Sequence, residues 1–302
     1  MTNNLIECTK LIEVSIIIPC KNEVNNLKWT VDSIMKSKNL LAFEIIVVDD
    51  SSDDNSTQFL EDNIYKEITL IKTNNLGAAK ARNTGAKSAK GKYLFFCDAH
   101  VKVEDEWLDK LVDTLRNFDA DLVAPCIADL SNSSAVGSGQ TWTKELKVKW
   151  LGGKLIEGTE IPIACGCALG ITKEAFETIN GFDHLFQVWG KEDEELCFKA
   201  WLYGYRIVIS PNVTVKHLFR KKHPYSVTKV NVTYNMLCMA YSHFGEARLT
   251  KTINIAKRDT YFLSAATMIK QNKELILNQR DKYFKDRIHD DDFFFKKFKI
   301  LF

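Results

Sequence analysis

Four times within the first hundred residues, a short apolar run leads into a polar turn, in the strand, turn, helix order that builds a layered α/β fold. The runs are residues 14–19 (VSIIIP), 43–52 (FEIIVVDDSS), 68–73 (ITLIKT) and 93–100 (YLFFCDAH). They are too short for helices and apolar on both faces, as central parallel strands are. Between them, residues 27–35, 53–63 and 77–89 read as helices, the second opening on Asp and Ser residues suited to an N-cap. The order predicts right-handed βαβ units in an open parallel sheet.

In such sheets, ligands bind beyond the carboxyl ends of the strands. Polar residues collect there, at 19–23, at 49–52 and at 98–100. No G-x-G-x-x-G follows the first strand and no GxxxxGK[ST] occurs, which disfavours dinucleotide enzymes and P-loop NTPases. Acids stand there instead, Asp49 and Asp50, then Asp98. Carboxylates sit near a diphosphate only with a divalent cation between them, or facing base and ribose. Asp98-Ala99-His100 offers oxygen and nitrogen donors two residues apart, a mixture that suits manganese better than magnesium. Taken alone, it reads equally well as a capping Asp beside a surface His. His217 is the candidate third ligand, although a lone His among apolar residues is more often a core residue. Glu192 and Asp193 open a predicted helix at 191–203, where a carboxylate can face a pocket or merely favour the helix dipole.

Charge narrows the partners further. The 302 residues carry 41 basic and 39 acidic side chains, +2 overall, which argues against a nucleic-acid binder driven by bulk charge. A chain of this length buries a core without staples. The eight cysteines, at 8, 20, 97, 126, 165, 167, 197 and 238, lie mostly in apolar runs and read as reduced thiols. With no basic and apolar leader at the start and no long apolar span, a cytoplasmic protein is expected, and the sequons at Asn55, Asn132, Asn212 and Asn231 then carry no weight.

Beyond residue 119 the pattern loosens. Residues 119–125 fit a strand, 141–150 (TWTKELKVKW) an edge strand, 206–211 and 213–219 two short strands, and 253–279 one helix with Ile255, Phe262, Ala266 and Ile269 near one face. The tail FFFKKFKILF suits either an interfacial membrane anchor or a terminal helix packed on the domain or a partner.

In order, VSIIIPCKNE, VVDDSSDD, NLGAAKARNTGA, YLFFCDAH, GFDHLFQVWGKEDEEL and VKHLFR resemble family 2 glycosyltransferases of the GT-A fold. The DAH, TWTKELKVKW, ACG, VWG-x-E and H-x-F-R segments are similar to the catalytic domain of polypeptide N-acetylgalactosaminyltransferases. The resemblance covers residues 14–220. It implies a Rossmann-like, mostly parallel sheet flanked by helices, with a catalytic domain at 1–220, a lid or connecting segment at 221–245 and a C-terminal helical extension at 246–302. It also implies that Pro19, Cys20, Asn22, Glu23 and Asp50 meet uracil and ribose, with Arg82 near the nucleotide. Asp98, Ala99, Gly166 and Trp189 would face the nucleotide-sugar, and Asp98, His100 and His217 would hold Mn²⁺ or, second, Mg²⁺. Retaining relatives carry Asn where this chain has Asp193, and a carboxylate accepts a proton that an amide cannot. The expectation is therefore inverting transfer of a hexose or N-acetylhexosamine from a UDP-sugar to a peptide or glycan acceptor, with Asp193 as base beside Glu192. A retaining enzyme and a non-catalytic scaffold in glycan assembly are the alternatives.

Overall fold

The computed structural model describes residues 11–302; Cys8 lies outside them. The strands are β1 (Val14–Cys20), β2 (Phe43–Asp50), β3 (Thr69–Thr73), β4 (Tyr93–Cys97), β5 (Val101–Lys102), β6 (Leu122–Asp129), β7 (Val136–Gly137), β8 (Gln140–Trp142), β9 (Val148–Trp150), β10 (Ala168–Thr172) and β11 (Ile207–His217). The helices are α1 (Asn26–Lys36), α2 (Ala78–Ser88), α3 (Trp107–Asn117), α4 (Lys173–Thr178), α5 (Glu192–Leu202), α6 (Lys229–His243), α7 (Glu246–Ala256), α8 (Phe262–Gln271), α9 (Lys273–Asp286) and α10 (Asp291–Lys297).

The main sheet runs β3-β2-β1-β4-β10-β6-β11-β5, with β7 on β6. Its first four strands are parallel, as the sequence predicts. β10 then enters antiparallel between β4 and β6, so the sheet is mixed. Successive residues of each strand face opposite layers. Ile17 and Phe96 join one core with α2, α5 and α6, whereas Ile16, Ile18 and Phe95 join another with α1 and α3. Burial on both faces is why these strands read as continuous apolar runs.

Several local expectations change in three dimensions. The segment at 53–63 forms two short 3-10 turns, Gln58–Glu61 and Asn63–Tyr65, rather than an α-helix. Residues 141–150 fold back as the hairpin of β8 and β9, separate from the main sheet. The two short strands at 206–219 are one, β11, whose register shifts between Ser210 and Thr214. Pro211 lies in that shift, as a residue without an N–H does. The helix at 253–279 breaks into parts of α7, α8 and α9; Ile269 is buried, but Ile255, Phe262 and Ala266 are only half-buried. Within 221–245, residues 229–243 are the core helix α6.

The aromatic tail turns inward. Phe294 and Phe295 of α10 are buried, with ring centroids 4.8 and 6.0 Å from Phe198 of α5 and 5.5 and 5.9 Å from Trp142 of β8. The apolar surface that an interfacial anchor would present is thus spent in the core, and no described helix is long and apolar enough to cross a membrane. Phe294→Ala should cost about 3–5 kcal/mol, the range for a buried phenylalanine. Chemical denaturation checks it; a loss near zero would mean the tail is not part of this core.

Candidate active site

The turns after β1, β2 and β4, the turn before β10, the end of β11 and the start of α5 enclose a cleft of about 800 Å³. Pro19, Cys20, Glu23 and Asp50 reach it from the first strand ends, and Asp98, Ala99 and His100 from the turn after β4. Arg82, Gly166, Trp189, Glu192, Asp193 and His217 complete it from the middle and later chain. Asn22 does not line it. Its N–H donates to Ser52 Oγ at 3.0 Å and its Oδ1 accepts from the Asp53 N–H at 2.9 Å, tying two turns together.

Asp98, His100 and His217 each bring one ligand atom within 4.8 Å of the others. The last turn of chain before β5 makes this possible: β5 pairs antiparallel with the end of β11, setting His217 opposite Val101. The Leu218 N–H donates to the His100 carbonyl at 3.1 Å, and the two imidazoles lie 4.7 Å apart. His217 Nε2 is 3.4 Å from Asp98 Oδ2, too long for a good hydrogen bond. Both buried ring nitrogens of His217 lack a hydrogen-bond partner. Buried polar atoms are rarely left so, and a cation held by one oxygen and two nitrogens would satisfy them. Burial works against ionising Asp98, but His217, Arg82 and His100 override it and hold the carboxyl well below the usual range. The donor set therefore fits a divalent metal.

Two expected nucleotide contacts are already engaged. Asp50 Oδ1 accepts from Thr73 Oγ1 and the Leu76 N–H, both at 2.7 Å, and Oδ2 from the Gly77 N–H at 2.8 Å. Its carboxylate shapes the turn before α2, where Gly77 has φ +86° and a Cβ would lie 2.9 Å from Val188 N. Arg82, buried, joins Asp98 Oδ1 at 2.9 Å to Glu192 Oε1 at 3.3 Å. It braces the metal-side turn against α5.

At the start of α5, Asp193 Oδ2 accepts from the Gly166 N–H at 2.9 Å and Oδ1 from the Glu194 N–H at 3.0 Å. A Cβ on Gly166 would lie 2.8 Å from Asp193 Cβ, so only glycine permits this approach. Glu192 behaves differently. Burial and the neighbouring Asp193 push its carboxyl up, against the pull of Arg82.

Sequence reasoning missed three sets of residues. Arg220, noted only within a motif, donates from Nη2 to Glu23 at 2.6 Å and contacts His100 Nδ1. The ring of His223 in the following loop lies 4.5 Å from that of Trp189, tilted by 56°, and Tyr225 also lines the cleft. Glu194 and Glu195, which by position alone would be ordinary charge at a helix start, are buried. Glu194 bonds Trp142 Nε1 and, at 2.9 Å, Lys191. Glu195 meets Lys199 at 3.0 Å and His243 Nε2 at 2.8 Å; the Glu-to-Lys spacing of four was its available signal.

This buried network makes stability depend on pH. Burial pushes His243 below its usual value, against Glu195, with Lys199 and Arg287 adding to the depression. Unfolded, the same imidazole titrates near 6.5. Below about pH 6.5 the unfolded chain therefore binds a proton that the folded one refuses, and stability falls as pH falls, with a ceiling of ~1.4 kcal/mol per unit for one proton. Going from pH 7.5 to 5.5 should therefore lower stability through this group. Calorimetry of the protein and of His243→Gln checks it: the variant's pH dependence should be flatter, and identical slopes would exclude His243 as the cause.

The glycosyl transferase family 2 model matches residues 15–179, more than half of the chain. The chain belongs to this family. A second model, the N-terminal domain of galactosyltransferase, matches residues 158–224 of this family 2 glycosyltransferase. Human polypeptide N-acetylgalactosaminyltransferase 14 is 30% identical over 240 residues, 73% of the chain and 43% of the relative. Polypeptide N-acetylgalactosaminyltransferase 11 of Xenopus tropicalis is 31% identical over 237 residues, 70% and 39% respectively. The chain thus spans about two fifths of the length of these relatives. The crystal structure of GalNAc-T7 with UDP, GalNAc and Mn²⁺ superposes with a TM-score of 0.73 at 20% identity, covering 96% of this chain and 57% of that one. The shared fold is GT-A.

Proposed function

We propose that this glycosyltransferase moves a hexose or N-acetylhexosamine from a UDP-sugar to a peptide side chain (Ser, Thr or Cys) or a glycan hydroxyl, inverting the anomeric centre. The observation that carries the reading is Asp193, a carboxylate oriented by two backbone N–H donors in the same cleft as the Asp98, His100 and His217 cluster. Asp193 would take the acceptor proton as the acceptor attacks the anomeric carbon. The bond to the departing UDP breaks in the same displacement, its electron pair leaving on a diphosphate oxygen. Asp98, His100 and His217 would hold a manganese or magnesium ion, whose chemistry there would be Lewis-acid neutralisation of charge on that diphosphate. Arg82 keeps Asp98 and Glu192 in mutual register, and Gly166 lets the backbone approach the sugar side. The relatives' names support N-acetylhexosamine and a peptide acceptor.

Incubating the protein and Mn²⁺ with a panel of UDP-sugars and cell extract, then following UDP release and product masses, tests the reading. Metal-dependent release with one sugar supports it, and the product anomer by NMR separates inversion from retention. UDP binding without release from any sugar, even with extract present, would point to the non-catalytic scaffold.

A further inference from the structure

We infer that Cys165 and Cys167 are a reversible disulfide site, and that closing it unseats Asp193. The two sulfurs lie 3.4 Å apart. They flank Gly166 in a tight turn closed by the Ala168 N–H donating to the Cys165 carbonyl at 3.3 Å. Both residues line the cleft, Cys165 half-buried and Cys167 buried, so a small oxidant in the cleft meets Cys165 first.

A disulfide needs its sulfurs about 2.0 Å apart, so the turn must tighten. The Cys167 backbone is held: its carbonyl accepts from the Asp98 N–H at 3.0 Å, and the next residue pairs with Cys97 in the sheet. The movement falls on Cys165 and Gly166. The Gly166 N–H is the donor that holds Asp193 Oδ2 at 2.9 Å, so a shift of this backbone either carries the carboxylate with it or breaks that bond.

The chemistry balances with a low-molecular-weight disulfide such as glutathione disulfide as oxidant. The Cys165 thiolate attacks one sulfur and expels one glutathione thiolate; the Cys167 thiolate then attacks Cys165 of the mixed disulfide and expels the second. The two cysteines lose two electrons and two protons, which end on two glutathione thiols. A dithiol reductant reverses both steps.

The effect on transfer rests on the proposed role of Asp193, whereas formation of the disulfide does not. The full chain is treated with glutathione disulfide and the unreacted thiols are alkylated. After trypsin, peptide 155–173 should be lighter by two hydrogens and unalkylated until dithiothreitol is added. Transfer should fall on the order of 10²-fold, the scale of a misplaced catalytic group, and recover with reductant, while Mn²⁺-dependent UDP binding changes little. In Cys165→Ser and Cys167→Ser, the ratio of oxidised to reduced rates should stay near one. Full alkylation of peptide 155–173 after oxidation, a Cys97–Cys167 link instead, a closed disulfide with unchanged transfer, or equal oxidant sensitivity in the serine variants would each overturn the proposal. Should the chain transfer no sugar at all, the peptide masses still decide the disulfide.

Discussion

Asp193→Asn should lower transfer by about 10²–10⁴-fold, the usual contribution of a positioned general base, while leaving UDP binding near its original strength. The amide is nearly isosteric, and its oxygen can still accept the Gly166 or Glu194 N–H that now orients the carboxylate. What it cannot do is accept the acceptor's proton. Rate and binding should therefore separate, with kcat falling and the UDP dissociation constant almost unchanged. Single-turnover transfer and calorimetric UDP titration measure the two. Near-normal transfer would remove Asp193 as base and favour retention. Glu192→Gln, at the buried and Arg82-paired neighbour, separates the two carboxylates: loss of rate there with Asp193→Asn active would move the base to Glu192.

His217→Ala should weaken Mn²⁺-dependent UDP binding by at least tenfold and transfer by 10²-fold or more, since Lewis-acid stabilisation is worth several kcal/mol at about 1.4 kcal/mol per decade. The imidazole is buried with both nitrogens unpartnered, so its removal in a metal-free protein relieves a desolvated polar group. The metal-free fold should then be no less stable than expected for a shortened side chain, and the loss should appear only when metal is present. Titrating Mn²⁺ against UDP affinity in both proteins reads this. Unchanged manganese dependence would return His217 to the role of a core histidine. Asp98→Asn should produce the same binding defect and, in addition, disturb Arg82, whose guanidinium it shares with Glu192.

Much of the architecture was legible because it is local. Residues 14–19 and 93–97 are apolar on both faces, which is the pattern of strands buried between helical layers. The polar residues that follow them fall at the carboxyl ends of parallel strands, so the cleft could be placed before any contact was known. The metal cluster was legible only as parts. Asp98 and His100 are neighbours in the chain, but His217 joins them because β11 runs antiparallel to β5 and brings its end to the turn after β4.

The unreadable features depend on long-range partners. Nothing near Asp50 in sequence says that the Leu76 and Gly77 N–H groups will hold its carboxylate, or that Arg82, expected near the nucleotide, will also brace two acids. Glu194 and Glu195 look like exposed charge at a helix start, and they are buried because Trp142, Lys191, Lys199 and His243 arrive from elsewhere. The tail shows the same division. Its aromatic and basic residues fit an interface or a core equally well, and the choice was made by the pocket that Trp142 and Phe198 present to Phe294 and Phe295.

By itself, the amino-acid order determined the strand and helix alternation, the edge of the sheet that binds ligand and the residue types available there, because side-chain periodicity and turn chemistry act over a few residues. Only the tertiary structure decided which partners each of those carboxylates meets. A buried charge takes whatever partner the fold delivers, and the order of strands in the sheet, not their order in the chain, makes that delivery.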